Sequence, residues 1–217
     1  MDFDAQRQIM VDSQVRVNDV TTFELVTAFL TVPRELFVPK SKQSIAYSEV
    51  EIETGPDRAL WTVRDLAKLL EALGQKPNDV ALVIGAGSGY GAAIIGCNAE
   101  AVIALEDTEE AVSDMAGRFA EIGMDQAVAV EAALDKGLPD QGPFDLILIG
   151  GMVQTVPDAW LDQLADGGRL GVVVEAGRSL GRARVYVRAG DAVSYRDVFE
   201  AAPPSLPGFE AKKSFVF

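Results

Sequence analysis

The sequence predicts an α/β fold, with a doubly wound and mostly parallel sheet, a mainly helical N-terminal extension and an antiparallel C-terminal portion. From residue 80 onward, short apolar segments alternate with helix-like segments, as in a parallel sheet that helices cover on both faces. The predicted parallel strands are residues 80–84, 102–105, 127–130, 146–149 and 170–174. Residues 183–188 and 214–217 resemble strands without a helix between them, which predicts an antiparallel end to the sheet.

The first third of the chain lacks this alternation of strands and helices. It is predicted to be a mainly helical extension, residues 1–79, packed on a core formed by residues 80–217. Helical spacing of apolar residues occurs in residues 4–16, 24–32 and 66–73. Thr62 and Asp65 match the S/T-x-x-D capping signal, so we expect the third of these helices to begin directly after Thr62.

Composition narrows the possible chemistry. A chain of 217 residues with 48% hydrophobic residues is large enough for a core of its own. It contains no histidine, which excludes Ser-His and Cys-His catalysis and histidine ligands for zinc, and we predict no metal site. The net charge of −14 repels polyphosphates and argues against a nucleic-acid substrate. The lone Cys97 is expected to be a buried, inert thiol.

Neither the N-terminus nor any later segment carries the pattern of a targeting or membrane-spanning sequence. The first residues are polar and acidic, and no apolar run approaches the length that a bilayer requires. We therefore expect a soluble cytoplasmic protein that does not bind a membrane. The sequence leaves its oligomeric state open.

A glycine-rich turn follows the first predicted strand, and an acid ends the second one. The turn residues predicted to contact a ligand are Gly85, Ala86, Gly87, Ser88 and Gly89. Glycine lets the backbone turn sharply and approach a ligand closely, and the helix that follows presents free N–H groups. Glu106 comes at the tip of the next strand, where a carboxylate can accept hydrogen bonds from both hydroxyls of a ribose. The pattern therefore predicts a nucleotide site.

Two classes of nucleotide ligand fit this turn. From Gly87 the chain matches the dinucleotide pattern G-x-G-x-x-A, which ends at Ala92. From Gly85, directly after the apolar run, it reads G-x-G-x-G, a spacing typical of S-adenosylmethionine sites. Glu106 has an alternative role, since acids also stabilise a helix N-terminus, but Thr108 is the better cap for the next helix.

Several motifs in conserved order resemble those of the protein-L-isoaspartate O-methyltransferases. They are Arg7-Gln-Ile-Met-Val11, Val32-Pro-Arg-Glu-Leu-Phe-Val-Pro39, Ala46-Tyr47, Val83-Ile-Gly-Ala-Gly-Ser-Gly-Tyr90, Pro143-Phe-Asp145 and Asp166-Gly-Gly-Arg-Leu170. The similarity extends over nearly the whole chain. It implies a Rossmann-like methyltransferase core, S-adenosyl-L-methionine as the methyl donor, and a carboxylate of a peptide or protein as the acceptor.

The chain departs from the family pattern at three places near the site, and one is Val83, where the family has an acid two places before the first glycine. The family has Thr-Ile-Ser-x-Pro before the leucine helix, where this chain has Ala59-Leu-Trp-Thr-Val63, so Trp61 and Thr62 occupy the positions of the catalytic hydroxyl motif. The family's Gly-Asp-Gly loop on the adenine side is replaced by a segment that includes Ala133 and Leu134. The resemblance places Glu106, Asp107, Ala133 and Leu134 at the cofactor.

Three functions agree with these residues. The first is methylation of an isoaspartyl carboxylate, or of another carboxylate or small acceptor, and it requires no general base because a carboxylate is already ionised at neutral pH. The second is a cofactor-binding protein of the same fold that has lost or redirected the transfer. A third and more distant possibility is an oxidoreductase that binds NAD through the alternative glycine pattern.

Trp61 has two interpretations. If its ring lines the acceptor pocket, it blocks the usual substrate, and replacement by serine is expected to raise turnover. If it anchors the helical extension to the sheet, replacement is expected to destabilise the protein and restore nothing.

Overall fold

The computed structural model describes residues 1–55, 58–177 and 180–210. A seven-stranded sheet forms the centre of the molecule, and its order is β5-β4-β3-β6-β7-β8-β9. These strands are β3 (Val80–Ile84), β4 (Ala101–Glu106), β5 (Ala127–Glu131), β6 (Phe144–Val153), β7 (Leu164–Glu175), β8 (Gly181–Ala189) and β9 (Ala192–Ala201). The first five are parallel, and β8 and β9 are antiparallel. This confirms the predicted fold class.

The chain reverses its direction of winding between β3 and β6. From β3 it proceeds outward through β4 to β5, and it then returns to place β6 on the other side of β3. The helices between these strands are α4 (Tyr90–Gly96) and α5 (Glu109–Glu121), and α6 (Asp158–Asp162) lies between β6 and β7. In a doubly wound sheet, ligands bind at this switch point, outside the carboxyl ends of the strands.

Alternate residues of the central strands contact two different hydrophobic clusters. Ala81 and Val83 of β3 belong to the cluster that includes the N-terminal helices. Leu82 and Ile84 belong to a second cluster, formed with Trp160 and the C-terminal segment. Side chains that alternate across a strand explain this division, and burial on both faces explains why the strands are apolar throughout.

The N-terminal extension contains three helices, as the spacing predicts, and also a strand pair that it does not. The helices are α1 (Phe3–Met10), α2 (Phe23–Thr31) and α3 (Val63–Leu73), with π-helical Val11–Val15 and 3-10 segments Arg16–Asn18, Arg34–Phe37 and Lys40–Ile45. The added pair is an antiparallel hairpin of β1 (Ile52–Gly55) and β2 (Arg58–Leu60). The division of the chain at residue 79 remains a prediction.

Thr62 caps helix α3, as predicted from its spacing to Asp65. Its hydroxyl oxygen accepts a hydrogen bond from the Asp65 backbone N–H at 3.3 Å. The leucine face of the helix is buried against the sheet. Helix α3 therefore begins at Val63, directly after Thr62, and Trp61 is the residue that precedes the cap.

The C-terminal part extends the sheet further than the sequence predicts. Strand β8 contains the predicted segment 183–188, but β9 was not predicted because most of its side chains are exposed and lack an apolar alternation. The predicted strand at 214–217 lies outside the described residues. Cys97 is exposed, so the expectation of a buried thiol was wrong, because the residue follows the last turn of the short helix α4. None of the helices in the described ranges is long and apolar enough to cross a membrane.

Candidate cofactor and acceptor site

The glycine turn follows β3 at the switch point of the sheet. Gly85, Gly87 and Gly89 all have positive φ, at 68°, 60° and 92°, a region that other residues rarely adopt. The backbone N–H groups of Gly85 and Ala86 donate to the carbonyl of Leu105 at 3.0 and 3.1 Å, which holds the turn against the end of β4. The predicted turn therefore forms as the sequence indicates.

The glycines serve different purposes. A Cβ at Gly89 would lie 2.8 Å from the side chain of Met115, so this glycine allows α4 and α5 to pack closely. A Cβ at Gly87 would meet no atom of the described residues within 4 Å. Gly87 therefore faces open space, and the turn presents its backbone to a cavity at this position.

Ser88 is a buried polar residue of the turn that lines the neighbouring cavities. The residue is 4% exposed, yet its hydroxyl has no hydrogen-bond partner among the residues that the structure describes. It lines both the small cavity above the glycine turn and the larger groove beside Glu106. Buried polar groups are normally hydrogen-bonded, so this hydroxyl at the wall of a cavity is open to a water molecule, an ion or a ligand.

Glu106 ends β4 beside this turn and is 1% exposed. Its Oε1 accepts a hydrogen bond from the Gly87 backbone N–H at 2.7 Å. Thr108, and not Glu106, caps the following helix, since its hydroxyl oxygen accepts from the Ala111 N–H at 3.3 Å. Glu106 therefore belongs to the turn and not to the N-terminus of α5.

Arg58 is a site residue that the sequence reasoning missed. Its Nε donates to Oε1 of Glu106 and its Nη2 to Oε2, both at 3.0 Å, which forms a bidentate ion pair. A further contact of 3.3 Å joins Nη2 to Asp107. Arg58 is the first residue of β2 and directly precedes the segment that diverges from the family. That position is the one signal in the sequence that could have pointed to Arg58 as a site residue.

Trp61 lies between the extension and the sheet. The side chain is 5% exposed, and its indole N–H donates to the carbonyl of Gly150, in β6, at 3.0 Å. The ring also lines a cavity of about 40 Å³ with Gly85, Gly87 and Ser88. Both interpretations of Trp61 thus have a geometric basis, since the same side chain is anchored and faces the cavity.

Thr62 and Gly89 do not occur among the described residues that line this cavity or the grooves beside it. The Thr62 hydroxyl is engaged as the cap of α3. A catalytic role for either family hydroxyl position therefore remains a prediction.

Arg34 of the Val32-Pro-Arg-Glu motif holds the backbone of Trp61 in place. Arg34 is fully buried, and it donates to the carbonyls of Ala46 at 2.8 Å and Trp61 at 2.7 Å. Its guanidinium carbon lies 4.8 Å from the centre of the Tyr90 ring. Burial lowers the pKa of Arg34 and raises the pKa of Tyr90 to about 12. The motif therefore joins the extension to the first turn of α4.

A second groove, of about 540 Å³, lies on the side predicted for the adenine. Asp107, Ala133 and Leu134 line it, together with residues of the C-terminal segment such as Phe209. Asp107 is about half exposed. Leu134 is buried and its carbonyl accepts from the Trp160 indole at 2.7 Å, so this loop is tied to the second hydrophobic cluster.

Negative charge surrounds the mouth of the groove beside Glu106. Its lining includes Asp107, Glu110 and Asp114, opposed by Arg58 and Arg118. Such a surface favours a ligand with a positive centre. In the described part of the chain, no cluster of histidine, cysteine or acidic residues is arranged to hold a metal ion.

Known proteins are similar to this chain in sequence. The chain is 33% identical over 174 residues to a protein-L-isoaspartate O-methyltransferase of Roseiflexus castenholzii, covering 80% of this chain and 79% of the relative. It is 32% identical to a protein-L-isoaspartate O-methyltransferase of Methanoregula boonei, and the match covers 81% of this chain and 80% of that relative.

Solved structures show the same fold. A protein-L-isoaspartate O-methyltransferase superposes with a TM-score of 0.83 at 23% identity, over 93% of this chain and 66% of that longer chain. A protein-L-isoaspartate O-methyltransferase structure from Plasmodium falciparum, in complex with S-adenosyl-L-homocysteine, superposes with a TM-score of 0.77 at 17% identity. The superposition covers 94% of this chain and 97% of that chain.

The family model for protein-L-isoaspartate(D-aspartate) O-methyltransferase matches residues 5–202 of this chain. The match includes both the extension and the sheet, and it confirms the resemblance that the motifs indicate. The chain belongs to the protein-L-isoaspartate(D-aspartate) O-methyltransferase family.

Proposed function

We propose that this protein is an S-adenosyl-L-methionine-dependent methyltransferase that methylates the carboxylate of isoaspartyl residues in peptides or proteins. The observation that carries the proposal is the buried carboxylate of Glu106 beside a glycine turn that faces open space, in a member of this family. A ribose-binding acid at the tip of β4 suits a nucleoside, and the acidic surroundings suit a sulfonium.

The residues present fit such a cofactor. Gly87 offers open backbone, Ser88 a hydroxyl that has no partner in the described part of the chain, and Glu106 a carboxylate at the ribose position. Asp107, Ala133 and Leu134 form the walls of the groove on the adenine side. When bound, S-adenosyl-L-methionine supplies an electrophilic methyl group.

The chemistry demands alignment more than acid–base groups. With the cofactor held at Glu106 and the glycine turn, the site would have to align an ionised acceptor oxygen with the methyl group, and the sulfonium would keep the electron pair of the broken carbon–sulfur bond and become neutral. No proton moves, so the absence of histidine is no obstacle. Positioning of the two reactants can supply about 7–11 kcal/mol of the barrier reduction. In this chain the walls formed by Trp61 and the glycine turn exclude water and orient the reactants.

The shape of the outer groove favours a peptide acceptor over a small carboxylate. A groove of about 700 Å³ runs between the β1–β2 hairpin and the C-terminal segment, and its lining includes Lys42, Glu51 and Pro207. It adjoins the cavity of Trp61, since Arg58 and Ala59 line both. A groove of this volume is larger than a small carboxylate needs and has room for residues of a chain around the reacting carboxylate. The cytoplasmic location expected from the sequence remains a prediction.

Calorimetry and a transfer assay together test the proposal. S-adenosyl-L-homocysteine is expected to bind, whereas NAD is not, and S-adenosyl-L-methionine is expected to give a methyl ester on an isoaspartyl peptide. Binding of NAD alone would favour the oxidoreductase. Binding of S-adenosyl-L-homocysteine without transfer to any isoaspartyl peptide would favour a protein that keeps the cofactor and has lost or redirected its activity.

A further inference from the structure

Arg58 occupies the junction of three cavities around the site. It lines the small cavity of Trp61, the groove beside Glu106 and the outer groove, and among the described lining residues it alone is shared by all three. It is also the one cationic side chain among the described residues of the small cavity. The cations of the two grooves, Lys42 and Arg118, form ion pairs with Glu53 and Asp114.

The ion pair with Glu106 cannot coexist with a ribose on the same carboxylate. An ionised carboxylate has about four lone-pair sites. Oε1 accepts from Arg58 Nε and Gly87 N–H, and Oε2 accepts from Arg58 Nη2 and from the Asp107 N–H at 3.3 Å. Two ribose hydroxyls therefore reach Glu106 only when the guanidinium of Arg58 leaves it.

The family resemblance implies a hydroxyl at the methyl-transfer centre, and this chain has Trp61 at that position. The indole N–H of Trp61, which replaces it, already donates to Gly150. An anion also enters a protein with a net charge of −14, which disfavours its approach. A guanidinium binds a carboxylate in a bidentate manner, as Arg58 does with Glu106.

The geometry points to Arg58 as the residue that binds the carboxylate of the methyl acceptor, after the ribose of the cofactor has displaced it from Glu106. This inference rests on the proposed function. It makes Arg58 a residue that binds substrate, and it couples the two ligands, because the guanidinium becomes available to the acceptor when Glu106 is taken. By thermodynamic linkage each ligand then raises the affinity for the other.

Calorimetry on the full chain tests this with Arg58→Met and with Arg58→Lys, which keeps the charge. Arg16→Met is the matched control, since Arg16 is half exposed and pairs with Asp12 on the N-terminal extension. Circular dichroism establishes that each variant is folded. S-adenosyl-L-homocysteine is expected to bind Arg58→Met about three- to tenfold more tightly than wild type, because no counter-ion has to be displaced from Glu106. It is expected to bind Arg16→Met with the same affinity as wild type.

The acceptor is then titrated as an isoaspartyl peptide and as the same peptide with isoasparagine. Wild type is expected to bind the isoaspartyl peptide at least tenfold more tightly with S-adenosyl-L-homocysteine present than without it. The preference for the carboxylate over the amide is expected to vanish in Arg58→Met and to persist in part in Arg58→Lys. In turnover, Arg58→Met is expected to raise KM at least tenfold with a smaller change in kcat.

Unchanged peptide affinity in Arg58→Met would overturn the inference. Cofactor binding that is tenfold weaker in Arg58→Met would also overturn it and make Arg58 a cofactor residue. Wild type that binds S-adenosyl-L-homocysteine but transfers no methyl to isoaspartyl peptides would refute the proposed function instead. In that case the titration with S-adenosyl-L-homocysteine still tests whether the cofactor displaces Arg58 from Glu106. Tighter binding to Arg58→Met than to wild type supports this displacement, and weaker binding overturns it.

Discussion

Replacement of Trp61 by serine separates the two interpretations of this residue. The side chain is 5% exposed, and aromatic side chains bury about 150–250 Å². At about 25 cal/mol per Å² this area corresponds to about 4–6 kcal/mol, of which serine retains a part. We therefore expect Trp61→Ser to lower the free energy of unfolding by about 3–5 kcal/mol, the usual cost of truncating a large buried aromatic.

Trp61→Phe is the matched control, because it keeps a ring and removes the N–H that donates to Gly150. Its expected cost is about 1–2 kcal/mol, since the carbonyl loses one partner and the ring is smaller. Denaturant titration followed by circular dichroism measures both values. Turnover on an isoaspartyl peptide is then measured at a temperature at which all variants are folded, and we expect no gain in Trp61→Ser.

A cost below about 1 kcal/mol for Trp61→Ser, combined with faster turnover, would refute this reasoning. It would show that the indole blocks the acceptor pocket without anchoring the extension. A large cost without faster turnover would identify Trp61 as an anchor.

Three further predictions follow from single contacts. Glu106→Ala is expected to weaken binding of S-adenosyl-L-homocysteine by about 1–3 kcal/mol in calorimetry, and unchanged affinity would rule out the ribose assignment. Ala133→Asp is expected to strengthen binding of S-adenosyl-L-homocysteine about tenfold, or by about 1.4 kcal/mol, if the adenine amino group lies within reach of the new carboxylate. A folded variant without this gain would show that the loop does not contact the adenine. A hydrogen bond from Arg184 lowers the pKa of Asp197 below its usual 3.8, so this stabilisation is present above pH 3.8 and is lost as the pH falls through the lower, folded value. When the free energy of unfolding is measured against pH, the difference between wild type and Arg184→Met is therefore expected to become smaller below pH 3.8. A difference that stays constant over this range would contradict the prediction.

The strands and the glycine turn were predictable because their signals are local. An apolar run such as β3 specifies a buried strand by itself, and three glycines at fixed spacing specify a turn with positive φ. Thr62 was predictable as a cap for the same reason, since its partner is three residues away. The structure confirms all three features.

The remaining features depend on contacts between distant parts of the chain. Arg58 and Glu106 are 48 residues apart, and nothing in either local sequence specifies that they meet. Strand β9 pairs through its backbone while its side chains are mostly exposed, so it carries no apolar pattern. Trp61 lies two residues before the first residue of α3, and the sequence alone shows neither its partner Gly150 nor the cavity that it lines.

The rate of methyl-ester formation on a matched pair of peptides tests the central claim most directly. One peptide contains an isoaspartyl residue and the other an aspartyl residue in the same sequence, and mass spectrometry detects the added methyl group. We predict esterification of the isoaspartyl peptide by wild type in the presence of S-adenosyl-L-methionine, and none of the aspartyl peptide above background. Equal rates on the two peptides, or none on either, would contradict this account.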